Sequence, residues 1–172
     1  QARTEPDKIK AIFHFVSNKI RYMGLTPEKD RPGYEPHDVK VTFGNKYGVC
    51  RDKAALLVSM LRLAGINAYP VLTNYGAKRD QDVPDPFFNH AIGGVEQSKG
   101  SYLLMDPTDE NTRVLFPSTE SDQSFLVARP EGETLLTSPV VASDENMVHI
   151  KTDASLNAEG RLVAKSVISF DG

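Results

Sequence analysis

A single cysteine occurs in the 172-residue chain, and its setting gives it chemistry. Cys50 lies in the stretch Tyr47–Gly65, YGVCRDKAALLVSMLRLAG. From Ala54 to Ala64 nine of eleven residues are apolar, with no Gly or Pro among them, and Gly65 stands where a helix C-cap belongs. The pattern predicts a helix apolar on nearly every side, buried in the middle of a domain, with Cys50 in its first turn. Unpaired N–H groups at a helix N-terminus carry about half a positive charge. They favour the thiolate of a cysteine whose free pKa is about 8.5. Arg51 and Lys53 add positive charge nearby, and Asp52 offsets part of it. The plainer alternative is a small buried hydrophobe.

A second pair of residues could serve such a thiolate. Phe87–Val95 and Ser101–Thr108 read as two antiparallel strands joined by a polar turn. If the turn centres on Ser98, His90 and Asp106 are equidistant from it and face each other, with Cβ atoms about 4.5–5.5 Å apart. A His facing an Asp in this way is the arrangement that orients an imidazole as a general base. A slip of one residue would separate them onto opposite faces. The plainer alternative is a surface His and a turn-forming Asp before Pro107.

The elements around these residues follow from patterning. Thr4-Glu5-Pro6-Asp7 is a helix start, and Ile9, Ile12, Phe13, Val16 and Ile20 keep helical spacing, which predicts a helix over Pro6–Lys19. His14 lies between the apolar positions and reads as a surface or packing residue. Ile20–Met23 reads as a short strand, Gly24–Pro36 as loop, and His37–Phe43 as either a short helix or a strand. Ile66–Thr73 reads as a strand that Pro70 places at an edge or a bulge. Asn74–Pro86 is a polar loop long enough to cover a site. Strands are expected at Ser124–Ala128 and Thr134–Leu136. Met147–Leu156 and Arg161–Phe170 form a second hairpin, in which His149 is an ordinary strand residue.

Composition bounds the function. Apolar content is 40% and charged content 25%, as in a soluble globular fold. A net charge of −3 argues against nucleic acid as the main partner. No apolar run reaches the length of a membrane span. The chain opens on Gln1 rather than Met and closes on SVISFDG within a strand-like pattern, as expected of a segment of a longer protein.

Gly48–Lys53, the apolar helix ending Leu63-Ala64-Gly65-Ile66, Asn89-His90-Ala91, and Leu104–Thr108 together resemble the transglutaminase-like superfamily, in particular its bacterial multidomain members. The three motifs come in the family's order, His 40 residues after Cys and Asp 16 residues after His. The resemblance implies an α+β, papain-like/transglutaminase-like core, a central helix packed on an antiparallel β-sheet, followed by a C-terminal β-hairpin. It implies a catalytic domain over 1–140 and a β-rich extension over 141–172 that begins a further β-domain. By position, Cys50 is the nucleophile, His90 the base and Asp106 the orienting acid. The family often has Trp two residues after the His, where this chain has Ile92, and the chain contains no Trp. The oxyanion donors implied instead are the Cys50 N–H, with Tyr22 or Asn45 as the second.

The implied reaction is acyl transfer through a Cys50 thioester. With water as the second nucleophile the enzyme is a cysteine protease or amidase acting on a peptide or protein, the reading favoured by the bacterial likeness. With an amine it is a transglutaminase joining Gln to that amine, and a non-catalytic binding or scaffold module is the remaining reading. No cofactor or metal is expected. A metal site from Cys50, His90, Asp106 and His37 lacks any short paired-ligand spacing. Asp80, Asp82 and Asp85 are broken by Pro84 and read as solvated loop rather than a calcium site. Flanking β-domains and a periplasmic or envelope location follow from the resemblance alone.

Overall fold

Helix α1 (Glu5–Lys19) begins where its caps dictate. The Thr4 hydroxyl accepts from the Asp7 N–H and the Asp7 carboxylate accepts from the Thr4 N–H, both at 3.3 Å. The computed structural model describes residues 4–24, 33–76, 78–80, 82–83, 86 and 88–171. The expected loops at Gly24–Pro36 and Asn74–Pro86 therefore lie partly outside the described residues, as do Pro84 and Asp85 of the acidic stretch and Phe87 of the expected strand.

The chain divides into two units, Gln1–Ser138 and Pro139–Gly172. In the first, β1 (Arg21–Tyr22) pairs in parallel with β2 (Tyr47–Gly48). Between them lies α2 (Val39–Asn45), so the ambiguous segment is helical, started by the Asp38 carboxylate accepting from the Lys40 N–H. Helix α3 runs Cys50–Leu63, and Gly65 takes the positive φ of 81° that ends it. Strands β3 (Ala68–Thr73), β4 (His90–Ser98), β5 (Ser101–Met105), β6 (Ser124–Val127) and β7 (Leu136–Thr137) make one sheet in the order β5-β4-β3-β6-β7, each neighbour antiparallel. The fold is α+β, with α3 as its central helix on that sheet.

Ile9, Phe13, Val16 and Ile20 of α1 and its end meet Leu56, Leu57, Val58 and Leu61 of α3, and Ala68, Val95 and Met105 close the cluster from the sheet. A second cluster of Val71, Ile92, Tyr102, Leu104, Phe125 and Val127 packs on strands β3 to β6. Helix α3 is less enclosed than its composition suggests. Asp52, Lys53, Ala54, Leu56, Leu57, Val58 and Leu61 are buried, Cys50, Arg51, Ala55, Ser59 and Met60 only in part, and Leu63 is 88% exposed with Arg62 exposed beside it.

Two expectations are corrected. Strand β3 is central, not an edge, despite Pro70. The Pro70 carbonyl accepts from the Ala128 N–H at 2.9 Å, just past the last β6 residue, so its missing N–H falls where the β6 ladder has ended. The β4–β5 turn is Lys99-Gly100, not centred on Ser98, because Gly100 supplies a φ of 76° and a bulge absorbs a residue between Glu96 and Ser98. Val95 pairs with Leu103 and Gly93 with Met105. Continued, that register sets His90 opposite Thr108, so His90 and Asp106 are diagonal rather than directly opposed.

The second unit is a hairpin of β8 (Met147–Leu156) and β9 (Leu162–Asp171), paired along its whole length. Val148 pairs with Phe170, Ile150 with Ile168 and Leu156 with Leu162, which makes one face apolar apart from the Thr152–Ser166 pair, whose hydroxyls lie 2.8 Å apart, and all six apolar side chains are exposed. His149 lies on the other face, 3.2 Å from the Asp171 carboxylate. No described helix is long and apolar enough to cross a membrane.

Candidate active site

Cys50 is the first residue of α3 and is half-buried. The helix start that holds it is fastened by Asp52, itself 2% exposed. The Asp52 carboxylate accepts from the Val49 N–H at 3.1 Å and from the His37 N–H at 2.8 Å, and the His37 Nδ1 lies 3.1 Å from it. His37 is thus engaged by Asp52 and is not part of a set with Cys50. Gly48 makes room for the arrangement: a Cβ there would sit 2.7 Å from the Asp52 Cβ and 3.2 Å from the Thr42 methyl. Neither atom is the free end of a flexible chain. Gly48→Ala is expected to cost about 1–3 kcal/mol in urea unfolding, more than the roughly 0.4–1 kcal/mol that a less flexible unfolded backbone returns.

Lys53 does not face the sulfur as the sequence suggested. It is fully buried and its Nζ donates to the Ser17 and Ile20 carbonyls at 3.1 and 2.5 Å, closing the end of α1. Burial pushes its ammonium down to about 8. The Arg51 guanidinium donates to the Gly33 carbonyl at 2.5 Å.

Strand β4 begins at His90, and Asp106 follows the last residue of β5. The two are 6% and 4% exposed, and His90 Nε2 lies 3.1 Å from Asp106 Oδ2. The diagonal register still lets the imidazole reach, because an offset of two preserves the face. Asp106 is held in turn by Thr108, whose N–H donates to Oδ1 at 2.8 Å and whose hydroxyl lies 2.7 and 2.9 Å from the two oxygens. The Asp106 N–H donates to the Leu115 carbonyl at 2.8 Å.

The electrostatics join these groups to the sulfur. Burial pushes the Cys50 thiol up, but a hydrogen bond from His90, the His90 charge, and the N–H groups of Ala91 and Arg51 outweigh it, and the thiol falls below its ordinary value. Burial pulls His90 down, yet hydrogen bonds to Asp106 and Cys50 and their charges hold it up, at about 10. Since Nε2 engages Asp106, Nδ1 is the ring nitrogen left for Cys50. Burial opposes ionisation of Asp106, and its bonds to His90, Glu120 and Thr108 still drive its carboxyl below the usual range. Such a thiolate–imidazolium pair can attack a carbonyl and protonate a departing amine.

Of the two oxyanion candidates, Tyr22 is half-buried on β1, and its phenol is pushed up by burial and then by the Cys50 and Asp106 charges, so it lies within reach of the site. Asn45 ends α2, is exposed, and makes no bond to Cys50 among the described residues. Three residues of the site escape sequence reasoning. Tyr34 senses the Cys50 charge after burial and bonds the Phe88 carbonyl. The Tyr75 ring lies 5.0 Å from the His90 ring, and its hydroxyl donates to Glu120 Oε1 at 3.0 Å. Glu120 closes a short 3-10 turn (Ser118–Glu120) and is fully buried. None carries a local signal, because each is a single residue in a loop or turn. Asp80 and Asp82 are exposed, the Asp82 N–H donating to Asp80 Oδ1 at 2.9 Å, as in a solvated turn.

A central helix whose first residue meets the end of an antiparallel strand places the molecule in the transglutaminase-like class of α+β folds. The family model of the transglutaminase-like superfamily matches residues 1–107, and the chain belongs to that superfamily. A crystal structure described as a "putative cysteine protease" from Cytophaga hutchinsonii is similar at 21% identity, with 94% of this chain covered and a TM-score of 0.42. The chain spans 43% of that protein, less than half its length. No curated protein matches the chain.

Proposed function

We propose that the first unit is a cysteine-nucleophile acyl-transfer domain that hydrolyses peptide or amide bonds. The observation that carries this reading is the buried His90–Asp106 pair acting on a thiol at a helix N-terminus, whose pKa it lowers. The Cys50 thiolate adds to the carbonyl carbon, and the oxyanion takes hydrogen bonds from the Cys50 N–H and the Tyr22 hydroxyl. The His90 imidazolium gives its proton to the departing amine, leaving a thioester. His90 then removes a proton from water, which attacks the thioester, and the carboxylic acid leaves as the thiolate reforms. Asp106 holds the imidazole in the tautomer this needs.

The test is a quenched-peptide library and a glutamine peptide incubated with the protein, Cys50→Ala serving as the blank. Amine release without any crosslinked product, lost in Cys50→Ala, supports hydrolysis. Transfer of the glutamine peptide onto an amine probe sinks it in favour of transamidation, and release that survives Cys50→Ala sinks both.

The domain organisation proposed alongside assigns 1–140 to this catalysis and 141–172 to a further β-domain. A two-stranded hairpin is marginal alone, and the apolar face of β8 and β9 is of the kind a β-domain covers.

A further inference from the structure

The least explained side chain of the first unit is Glu120. It is fully buried, and its Oε2 meets no hydrogen-bond donor. Oε1 accepts from the Tyr75 hydroxyl. One ligand atom each of His90, Asp106 and Glu120 lies within 4.8 Å of the others. Two carboxylates this close, both out of water, do not both ionise. The hydrogen bonds say which of them is the anion. Asp106 accepts from His90 and from both the N–H and the hydroxyl of Thr108. Glu120 receives one donor, and its other oxygen is buried without a hydrogen-bond partner. An unpartnered buried oxygen beside a carboxylate is explained at once if it carries a proton and donates it.

We propose that Glu120 is a carboxylic acid that donates its proton from Oε2 to Asp106, making it a positioning residue behind the His90–Asp106 pair. The claim rests on the acyl-transfer reading of that pair and extends it by two members, so that Tyr75, Glu120, Asp106, His90 and Cys50 form one chain of hydrogen bonds. Among the described residues the charged and titratable groups acting on Glu120 are Asp106, His90 and Tyr75, with Cys50 beyond His90 and Lys53 acting on Asp106 from a distance. The balance among them favours the proton: burial raises Glu120 first, the Asp106 bond and charge raise it further, and His90 and Tyr75 oppose. A single negative charge then serves His90, fixed by donors on both sides, and the imidazole stays aimed at the sulfur. Ionised, Glu120 would put a second charge beside Asp106 and strip it of a donor.

The experiment has two readouts on the intact chain. Carbon-13 NMR of the glutamate carboxyls, with Glu120→Gln to assign the signal, reports whether Glu120 is protonated at pH 7. Cys50 alkylation by iodoacetamide against pH reports the pair. The amide of Glu120→Gln keeps a donor for Asp106 and an acceptor for Tyr75; Glu120→Leu keeps neither. The expected result is a protonated Glu120, a low Cys50 inflection retained in Glu120→Gln, and in Glu120→Leu an inflection raised toward the ordinary thiol value, with alkylation at neutral pH slowed roughly tenfold. An ionised Glu120 overturns the proposal. So does a Glu120→Gln profile like that of Glu120→Leu, a Glu120→Leu profile like wild type, or stoichiometric zinc in the purified protein. His90→Ala with an unmoved Cys50 inflection would instead sink the acyl-transfer reading, and with it the positioning role, while the carboxyl signal still decides where the proton sits.

Discussion

His90→Ala is expected to cut turnover by about 10⁴-fold or more and to raise the pH at which Cys50 becomes reactive. The two effects have one origin. Burial opposes the thiolate, and the bond and charge from His90 are the leading groups that reverse it. With the imidazole gone, the Ala91 and Arg51 N–H groups remain, but the burial penalty does not shrink. The inflection in alkylation should climb to about the ordinary 8.5 or above. A thiol of that kind is only about 3% ionised at pH 7, and the wild-type sulfur, whose pKa is lowered, is more ionised than that. Alkylation slows by less than that ratio implies, roughly tenfold, because a more basic thiolate is also the better nucleophile. The position of the inflection is therefore the decisive readout. A wild-type inflection at the ordinary value, unmoved in His90→Ala, would leave Cys50 a structural residue. Unchanged far-ultraviolet circular dichroism in the variant would show that the loss is chemical.

Sequence reasoning reached the elements whose signals are local. Thr4 and Asp7 start α1, Gly65 ends α3, and the runs read as strands at Phe87–Val95 and Met147–Leu156 overlap β4 and β8, because caps, turns and strand patterning are written within a few residues. It failed where a neighbour decides. Pro70 reads as an edge signal, but β6 stops short of it and lets β3 sit in the middle. The β4–β5 register depended on a bulge, and the reading chose the wrong turn centre while still keeping His90 and Asp106 on one face. Lys53 looked like a charge beside Cys50, since sequence gives adjacency along the chain but not the direction of a side chain around a helix. Glu120 and Tyr75 lie 14 and 31 residues from Asp106, on a 3-10 turn and after the end of β3, and only the folded sheet brings them to His90. The Cys, His and Asp themselves were legible because residue type, helix position and hairpin parity each constrain them separately.

Asp106→Asn carries the second large effect. Three groups donate to that carboxylate, the His90 ring, the Thr108 N–H and the Thr108 hydroxyl, and the Glu120 acid proposed above is the fourth. An amide keeps one acceptor oxygen and turns an NH₂ toward one of these donors. If the NH₂ faces His90, Nε2 must accept, and the ring proton moves to Nδ1, the nitrogen that faces Cys50. The imidazole is then in the tautomer that cannot take a proton from the thiol. The charge is lost as well, and His90, held at about 10 by its bonds and charges against burial, drops toward or below its ordinary 6.5. At pH 7 the imidazolium, and with it the thiolate, is depopulated. The expected fall in kcat/KM is about 10³–10⁴-fold. The limb of the rate profile set by His90 should also move to lower pH, whereas a change that merely loosened the fold would leave the profile's shape intact. Stability has the same sign. A folded-state His pKa above the unfolded value contributes stability that is full below about 6.5 and is lost as pH rises through about 10. Below about 8.5 the proton held on His90 is offset by the one missing from the Cys50 thiolate, whose pKa is lowered, so denaturant unfolding should show wild type losing its advantage over Asp106→Asn between about 8.5 and about 10. An Asp106→Asn protein within tenfold of wild-type kcat/KM, with His90 titrating as before, would mean that the carboxylate does not hold the imidazole, and the acyl-transfer reading would lose its orienting group.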